Sequence, residues 1–351
     1  MDKVRAWRQV DPRQPQGLVA TRGGNPRQPQ GLVATRASEM KRIRAVEVRN
    51  GARMLREERE IGMSAVRWRV GLIGDPVAHS FSPRFQQAAF DALDIPARYE
   101  LWRTPLSQLV ERVRSLCDGD CLGANVTIPH KEAVLPLLDE IDPLAARIGA
   151  VNTIVHRDDY LYGYNTDAAG LLYALQEQGI GEMRGNGQVA LDGYTAILLG
   201  AGGAARAAAF ALVNAGVERL IILNRHLERA LLLATELQQF YDRPIFSLND
   251  PEFLIPRSSS IIINATSLGM HGDVSPLPAD ILARFDAETT FVYDMIYNPT
   301  QTHLLIQASL MGLRTANGLS MLLHQGALAF SLWTNQPAPI NIMRESLLER
   351  A

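Results

Sequence analysis

Lys131 is the residue of this sequence that most directly suggests chemistry. The chain has 351 residues, and Lys131 is the only lysine among residues 65–351, which contain 20 arginines. A chain with this bias would use arginine wherever a positive charge is enough. Lysine differs from arginine because it can lose its proton when it is desolvated. The choice of lysine indicates acid–base chemistry, and a surface lysine without a function is the alternative.

Two serine hydroxyls lie where a predicted strand meets a predicted helix. Residues 66–73 form an apolar strand pattern, and residues 85–93 carry apolar side chains at the spacing of an amphipathic helix. Ser82 is predicted to cap this helix, with Pro83 in its first position. Because free N–H groups at the start of a helix attract anions, Ser80 and Ser82 indicate a carboxylate site. A capping serine beside a solvated one is the alternative.

Polar motifs follow further predicted strands. Strand and helix signals alternate over residues 97–164, which indicates an α/β layer structure. One predicted strand leads to Lys131, which we expect in the first turn of a helix over residues 129–138. The helix dipole disfavours a cation at that position. A predicted strand pair then ends in a polar segment that contains Asp167.

A glycine-rich turn follows the apolar run of residues 195–199 and leads into a helical stretch over residues 207–214. This strand–turn–helix context is the one that the dinucleotide-binding pattern G-x-G-x-x-A requires. Gly200 allows the tight turn, Gly202 lets the backbone approach a pyrophosphate, and Ala205 lets helix and strand pack closely. We therefore predict a nucleotide-binding unit of the Rossmann type.

The residues after the next predicted strand indicate which dinucleotide binds. The strand over residues 219–223 ends at Asn224, where an NAD-binding unit usually has an acidic residue for the ribose 2′-hydroxyl. Arg225 and Arg229 follow instead. Guanidinium groups bind phosphate through charge-assisted hydrogen bonds. The two arginines therefore favour a 2′-phosphate, and hence NADP as the cofactor.

Composition argues against several classes of protein. The formal net charge is −2, which argues against a nucleic-acid-binding or membrane-surface protein. No apolar run approaches the roughly 18–20 residues of a membrane span. The two cysteines, Cys117 and Cys121, fit no metal-site spacing and no disulfide framework. We therefore expect reduced thiols, no bound metal and a cytoplasmic location.

Residues 1–64 differ from the rest of the chain. They carry 14 Lys and Arg against 7 Asp and Glu, whereas residues 65–351 carry 21 against 30. Residues 12–22 recur, identical, as residues 26–36. A sequence this rich in Pro, Gln and Gly has no apolar period and builds no core. We expect a disordered or mis-annotated extension, and a targeting or partner-binding tail is the alternative.

Nine motifs, in this order, resemble the shikimate dehydrogenase family over about residues 66–345. They comprise residues 80–83, 125–131, 149–153, 165–167, 200–206, 224–225, 264–270, 294–297 and 318–325. The resemblance implies an α/β fold with two domains, an N-terminal mixed α/β substrate domain and a C-terminal Rossmann-type, doubly wound NADP-binding domain. The implied boundaries are residues 65–166 plus 320–351 for the first domain and residues 167–319 for the second.

The resemblance also implies roles for single residues. It implies that Lys131 and Asp167 form the catalytic pair. It implies that Ser80 and Ser82 hold the substrate carboxylate. The other implied substrate contacts are Thr127, Asn152, Asp167, Tyr297 and Gln325. The implied NADP contacts are Gly200, Ala201, Gly202, Gly203, Ala204, Asn224, Arg225, His226, Arg229, Met295 and Gly318. His226 departs from the family, which usually has threonine there, so an imidazole replaces a hydroxyl near the phosphate.

The implied activity is the reversible NADPH-dependent reduction of 3-dehydroshikimate to shikimate, a step towards chorismate and the aromatic amino acids. The implied partner is this small-molecule substrate, with neither nucleic acid nor membrane, and a homodimer is a compatible assembly. A quinate/shikimate dehydrogenase that uses NAD or NADP is one alternative, although Arg225 and Arg229 favour NADP. A non-catalytic NADP-binding regulator would lack Lys131 or Asp167, and both are present. Another two-domain Rossmann dehydrogenase would not explain the Ser-x-Ser and Asn-x-Thr-x-Pro-x-Lys elements together.

Overall fold

Two six-stranded sheets dominate the computed structural model, which describes residues 67–257 and 259–349. The repeat and the rest of the extension, residues 1–64, lie outside the described residues. A short two-stranded sheet accompanies the two large ones. The prediction of an α/β fold, with a mixed first sheet and a doubly wound second sheet, is confirmed by the pairing of the strands.

The first sheet contains the strands β1 Trp68–Gly74, β2 Ala97–Arg103, β3 Cys121–Val126, β4 Glu140–Ile141, β5 Thr153–Arg157 and β6 Tyr160–Tyr164. Their order in the sheet is β2-β1-β3-β5-β6-β4. Strand β1 pairs in parallel with β2 and β3, whereas β5 is antiparallel to both β3 and β6. Because β3 and β5 are antiparallel neighbours, the segment after β3 and the segment before β5 meet at the same end of these two strands.

The second sheet contains the strands β9 Thr195–Leu199, β10 Arg219–Leu223, β11 Ile245–Leu248, β12 Ser260–Asn264, β13 Thr290–Asp294 and β14 Arg314–Asn317. All pairs are parallel, in the order β11-β10-β9-β12-β13-β14. This is the doubly wound order, in which ligands bind beyond the carboxyl ends of the central strands. Strands β9, β12 and β13 are buried along their whole length, as expected when helices cover both faces. Between the two large sheets in sequence, β7 Glu182–Met183 and β8 Val189–Ala190 form the short sheet.

The helices of the described residues are α1 Ser82–Ala92, α2 Leu109–Arg114, α3 Pro143–Ile148, α4 Asp167–Glu177, α5 Gly203–Asn214, α6 Leu227–Gln238, α7 Ala279–Leu282, α8 His303–Leu310, α9 Leu319–Thr334 and α10 Ile340–Leu348. Four 3-10 helices add the segments Leu106–Gln108, Ser115–Cys117, Leu135–Leu137 and Pro251–Phe253. Among the helices that the structure describes, none has the length and apolar character needed to cross a membrane.

Helix α9 packs closely on two helices that carry site residues. A Cβ atom on Gly326 would lie 2.3 Å from the ring of Phe85, so this ring of α1 packs directly on the backbone of α9. A Cβ atom on Gly170 would lie 2.8 Å from the Cβ of Gln325, so α4 and α9 also cross at close range. These contacts bring α9 back to the first sheet, as the resemblance implies for the C-terminal helices. The boundary residues of the two domains stay a prediction.

The predicted capping role of Ser82 is wrong. Helix α1 begins at Ser82 itself, Phe81 takes the capping position, and the Ser82 side chain makes no capping hydrogen bond. The N–H of Ser82 instead donates to the Oγ of Ser80 at 3.2 Å. The helix therefore starts one residue earlier than predicted, and Pro83 takes its second position.

The predicted helix over residues 129–138 is also wrong. The segment forms turns followed by a 3-10 helix at Leu135–Leu137. Pro136 explains the difference, because a proline inside an α-helix has no N–H to donate and clashes with the preceding turn. Lys131 consequently lies in a turn, and no helix dipole opposes its charge.

The close crossing of α4 and α9 makes Gly170→Ala a test of the fold. Alanine favours a helix over glycine by about 1 kcal/mol, so an uncrowded position would gain stability. Here the new methyl group would also lie 2.9 Å from the backbone nitrogen of Gln325. We expect a net loss of about 1–3 kcal/mol in the free energy of unfolding, measured by chemical denaturation.

The matched control is Gly185→Ala, since a Cβ atom there has nothing within 4 Å. We expect that substitution to change the free energy of unfolding by less than about 0.5 kcal/mol. A Gly170→Ala protein as stable as the Gly185→Ala protein would contradict the close crossing.

Candidate active site

Lys131 and Asp167 form an ion pair. The Nζ atom of Lys131 lies 2.6 Å from Oδ2 of Asp167, and the two side chains are 17% and 9% exposed. Asp167 is the first residue of α4, where free backbone N–H groups favour a carboxylate. Water screens the attraction only weakly at this degree of burial. The structure thus brings together the two residues that were predicted as the catalytic pair.

Backbone contacts fix the turn that carries Lys131. The carbonyl oxygen of Lys131 accepts a hydrogen bond from the N–H of Val151 at 2.8 Å. The preceding residue, His130, is fully buried, and its Nε2 lies 2.6 Å from the carbonyl oxygen of Thr104. The main chain is therefore held on both sides of the lysine, which limits the positions that its ammonium group can reach.

Asn152 holds the second oxygen of the Asp167 carboxylate. Its Nδ2 donates to Oδ1 of Asp167 at 2.8 Å and to Oγ1 of Thr166 at 2.9 Å. Its Oδ1 accepts the N–H of Thr166 at 2.8 Å. Asn152 is buried, so these bonds replace the hydration that its amide loses. Lys131 and Asn152 thus each bind one oxygen of the carboxylate and fix its orientation.

The two serines lie together at the start of α1, beside a tyrosine from the segment that follows β13. The Oγ atoms of Ser80 and Ser82 are 3.2 Å apart. Burial raises the pKa of Tyr297, and hydrogen bonding with Ser80 and the N–H of Phe81 opposes this increase. The rings of Phe81 and Tyr297 are 5.3 Å apart. The segment after β13 therefore extends to the serine pair.

One cavity of about 190 Å³ contains all of the predicted substrate contacts. Its lining comprises Leu72, Ser80, Ser82, Asn125, Val126, Thr127, Lys131, Asn152, Asp167, Ala204, Met295, Tyr297, Gly318, Met321, Leu322 and Gln325. Two hydroxyls at one part of its wall suit a carboxylate, and an ammonium–carboxylate pair at another suits proton transfer. Ala204, Met295 and Gly318 were predicted as coenzyme contacts, so the cavity opens towards the predicted coenzyme site.

Sequence reasoning gave no role to Asn125, although it lies within one of the motifs. Its Nδ2 donates to the carbonyl oxygen of Asn152 and to Oγ1 of Thr153, at 3.2 Å each. The signal that could have revealed it is an amide in an otherwise buried, apolar strand. A buried amide must find partners, and here they belong to the segment that holds Asp167.

The glycine-rich turn has the geometry that a pyrophosphate requires. Gly200, directly after β9, has φ +111°, which side chains rarely tolerate. Gly202 is exposed, and a Cβ atom there would have nothing within 4 Å. Helix α5 begins at the next residue, Gly203, and no side chain caps its free N–H groups. These donors are available to an anion, and Ala201 and Ala204 flank them.

The basic segment lies beyond the carboxyl end of β10, next to that turn. Arg225, His226 and Arg229 are exposed, and the Asn224 Nδ2 donates to the carbonyl oxygen of His226 at 2.8 Å. Within residues 67–257 and 259–349, no acidic side chain pairs with Arg225 or Arg229. The segment therefore fits the 2′-phosphate of a dinucleotide.

The predicted nicotinamide-side residues meet where the segment after β13 contacts the start of α9. A Cβ atom on Gly318 would lie 2.1 Å from the carbonyl oxygen of Met295, so only glycine fits there. Asp294 fixes the segment, since Oδ1 accepts the N–H of Ile296 at 3.0 Å and Oδ2 accepts the Thr302 hydroxyl at 2.6 Å. Burial raises the pKa of Asp294, and these hydrogen bonds oppose the increase.

Arg206 connects the coenzyme helix to the substrate side, a role that the sequence pattern did not reveal. Its Nε donates to the carbonyl oxygen of Ile148, the last residue of α3, at 2.7 Å. Its Nη2 donates to Glu236 of α6 at 2.6 Å. Helix α3 ends just before the segment that carries Asn152. Arg206 therefore ties the glycine-rich turn to the residues around the ion pair.

Metal-ligating groups and thiols add no second site to the part of the chain that the structure describes. Among the described residues, no group of three or more His, Cys, Asp and Glu side chains could hold a metal ion. The thiols of Cys117 and Cys121 are free. A second cavity, of about 290 Å³, lies between α8 and β14, and its lining includes no titratable side chain.

Comparisons with known proteins identify the family. Residues 72–154 match the family model described as the shikimate dehydrogenase substrate binding domain. Residues 184–270 match that of shikimate / quinate 5-dehydrogenase, and residues 318–348 match that of the shikimate 5′-dehydrogenase C-terminal domain. The shikimate dehydrogenase (NADP⁺) of Symbiobacterium thermophilum is 42% identical over 80% of this chain and 93% of its own length. The chain belongs to the shikimate dehydrogenase family.

Solved structures of family members agree with the described fold. The shikimate 5-dehydrogenase of Thermus thermophilus, in complex with NADP(H) and shikimate, matches with a TM-score of 0.68 and 39% identity. The match covers 80% of this chain and 98% of that one. The ligand-free 5-ketofructose reductase of Gluconobacter sp. strain CHM43 matches with a TM-score of 0.69 and 30% identity over 80% of this chain and 97% of that one. The predicted family is confirmed, and the fold also occurs in a protein named for another ketone.

Proposed function

We propose that this protein catalyses the reversible NADPH-dependent reduction of 3-dehydroshikimate to shikimate. The observation that carries the proposal is the arrangement of one cavity, in which a serine pair and an ammonium–carboxylate pair lie beside a dinucleotide-binding turn. Shikimate has a carboxylate for the serines and hydroxyls for Asp167 and Lys131. The same reaction is supported by the relatives, one of which is named shikimate dehydrogenase (NADP⁺) and another of which was solved with NADP(H) and shikimate.

Lys131 transfers the proton of this reaction, and Asp167 orients Lys131. When bound, NADPH would supply a hydride for the ketone carbon, and the ketone oxygen would then be an alkoxide that needs a proton. The Lys131 ammonium donates a hydrogen bond to that oxygen, stabilises its developing charge and transfers a proton to it. Asp167 keeps the ammonium in place and accepts a hydrogen bond from a neighbouring substrate hydroxyl. In the oxidation direction, Lys131 accepts the proton of the hydroxyl that becomes the ketone.

The remaining cavity residues orient the substrate. Ser80 and Ser82 donate hydrogen bonds to its carboxylate, and the Tyr297 hydroxyl closes this part of the cavity. Asn152 and Gln325, whose Nδ2 and Oε1 atoms are 3.4 Å apart, bind hydroxyl groups of the ring. Such fixed contacts convert binding into orientation, which lowers the entropic cost of reaching the transition state.

The chain's own residues also suggest how NADP would be held. The N–H groups at the start of α5 would bind the pyrophosphate, because the helix N-terminus attracts anions. Arg225 and Arg229 would bind the 2′-phosphate, with His226 beside them. Met295 and Gly318 would border the nicotinamide at the mouth of the cavity.

The cellular setting follows from the reaction. We propose that the protein acts in the cytoplasm, on the route to chorismate and the aromatic amino acids. A homodimer is the assembly that we propose to test, by size-exclusion chromatography with light scattering. Quinate is the second candidate substrate, because the family model over residues 184–270 covers both shikimate and quinate dehydrogenases.

Coenzyme choice gives the first functional test. In a steady-state assay that crosses shikimate and quinate with NADP and NAD, we expect the highest kcat/KM for shikimate with NADP. Arg225→Ala removes charge-assisted hydrogen bonds worth about 1.5–3 kcal/mol each, so we expect KM for NADP to rise roughly tenfold or more. The KM for NAD should change little, because NAD has no 2′-phosphate.

The matched control is Arg243→Ala, an exposed arginine that precedes β11 and so lies at the amino end of the parallel strands, whereas Arg225 follows the carboxyl end of β10. It should leave both KM values unchanged. An equal increase of KM for NADP and NAD in Arg225→Ala would contradict the phosphate assignment. Turnover of neither shikimate nor quinate by the unaltered protein would contradict the proposed function.

Lys131→Arg separates proton transfer from charge. Arginine keeps the positive charge but stays protonated at any working pH, so it cannot exchange a proton with the alkoxide. Acid–base groups contribute typically about 10²–10⁴-fold to the rate, and we expect a loss of kcat of that order in Lys131→Arg and Lys131→Ala alike. Circular dichroism and the affinity for NADP should stay unchanged. Near-normal kcat in Lys131→Arg would reduce the residue to a binding contact.

A further inference from the structure

Tyr99 lies outside the cavity but is hydrogen-bonded to its wall. It belongs to β2, it is 5% exposed, and its ring packs beside that of Trp333 at 6.2 Å between centroids. Because β1 lies between β2 and β3, the side chain reaches across one strand. Its hydroxyl donates to Oδ1 of Asn125, on β3, at 2.8 Å. A buried phenol needs a hydrogen-bond partner, and here that partner belongs to the cavity wall.

A continuous chain of hydrogen bonds leads from Asn125 to the ion pair. The Nδ2 of Asn125 donates to Oγ1 of Thr153 at 3.2 Å, and that hydroxyl donates to Oδ1 of Asn152 at 3.1 Å. The Nδ2 of Asn152 donates to Oδ1 of Asp167 at 2.8 Å. All of these side chains are buried. Each member therefore depends on its neighbour for a partner, since water does not compete.

Tyr99 and the carbonyl oxygen of Asn152 hold the amide of Asn125 from its two ends. The Nδ2 group of Asn125 faces the carbonyl oxygen of Asn152, which can only accept, and so the amide oxygen faces Tyr99 and receives the hydrogen bond of the phenol O–H. The reversed amide would place its oxygen against the Asn152 carbonyl, a contact between two acceptors. Burial raises the pKa of Tyr99, and hydrogen bonding with Ser82 opposes the increase, so the phenol keeps its proton at neutral pH.

We propose that Tyr99 is a positioning residue that, through Asn125, fixes Asn152 and hence the carboxylate of Asp167. Its neighbour Ser82 lies at the other part of the cavity wall, so one hydroxyl contacts both the carboxylate-binding serine and the hydrogen-bond chain to the ion pair. The effect on turnover rests on the proposed function. The hydrogen-bond chain itself does not, and the two are tested separately.

The variant Tyr99→Phe removes the hydroxyl and keeps the ring. An unsatisfied buried acceptor is then left on Asn125, so we expect kcat/KM for shikimate to fall about tenfold. Most of the loss should appear in kcat, because the hydrogen-bond chain ends at Asp167. The chain of hydrogen bonds does not extend to the predicted coenzyme contacts, so KM for NADP should change less than about twofold. The matched control is Tyr241→Phe, which removes another buried phenol hydroxyl, beside Phe210 and away from the cavity. It should leave both constants unchanged.

A double-mutant cycle distinguishes positioning from general destabilisation. If Tyr99 acts through Asn125, then Tyr99→Phe has no further effect on kcat in an Asn125→Ala protein. Multiplicative losses would overturn the proposal. Thr153→Val interrupts the same chain of hydrogen bonds and leaves Tyr99 itself unchanged. It should lower kcat as Tyr99→Phe does. Normal kcat in both Tyr99→Phe and Thr153→Val would also overturn it.

A measurement without turnover keeps the proposal separate from the proposed function. The side-chain amide protons of Asn152, followed by NMR in the protein without coenzyme or substrate, report the hydrogen bond to Asp167. We expect Tyr99→Phe to shift these resonances and Tyr241→Phe to leave them in place. Unmoved Asn152 resonances in Tyr99→Phe would overturn the proposal, even if the unaltered protein turns over shikimate. Shifted resonances in a protein without turnover would support it and contradict only the proposed function.

Discussion

A pair of opposite charges held largely out of water is the constraint on which the rest of the site depends. An ammonium and a carboxylate both lose hydration when they are buried, and close contact offsets that loss only when their remaining atoms also find partners. Lys131 and Asp167 meet at 2.6 Å, and Asn152 binds the other carboxylate oxygen. The polar side chains around Asn152 follow from this need, since each buried amide or hydroxyl requires a partner of its own.

The same pair links the first sheet to the helix that leads to the second sheet. Lys131 follows a strand of the first sheet, and Asp167 begins α4, the helix that leads along the chain to the second sheet. Gly170 lets α4 approach α9, so that Gln325 reaches the cavity that Asp167 lines. Arg206 then ties the coenzyme helix to α3. These contacts connect the ion pair with the glycine-rich turn.

Much of this arrangement could be predicted from the sequence, because it depends on local patterns. The alternation of apolar strands with helices predicted the α/β class. The glycine-rich turn and the two arginines after β10 predicted the coenzyme class, and the comparisons confirm NADP for the family. Lys131 was predicted as an acid–base residue because it is the single lysine of residues 65–351, and the resemblance supplied its partner Asp167.

The remainder depends on contacts between residues far apart in the chain. Nothing near Tyr99 in the sequence indicates that its hydroxyl reaches Asn125, 26 residues away, across an intervening strand. The contact of Arg206 with Ile148 spans 58 residues and is equally invisible in a local pattern. The helix predicted over residues 129–138 was wrong for a local reason, because Pro136 lies in its interior. The roles of the individual site residues stay predictions.

A double-mutant cycle on Lys131 and Asp167 tests the central claim most directly. If the two side chains act as one proton-transferring unit, Lys131→Ala and Asp167→Asn should each lower kcat by about 10²–10⁴-fold. The double variant should then be little worse than either single variant, because the first substitution already disables the unit. Losses that multiply in the double variant would contradict the account, since they would mean that the ammonium and the carboxylate contribute to turnover independently.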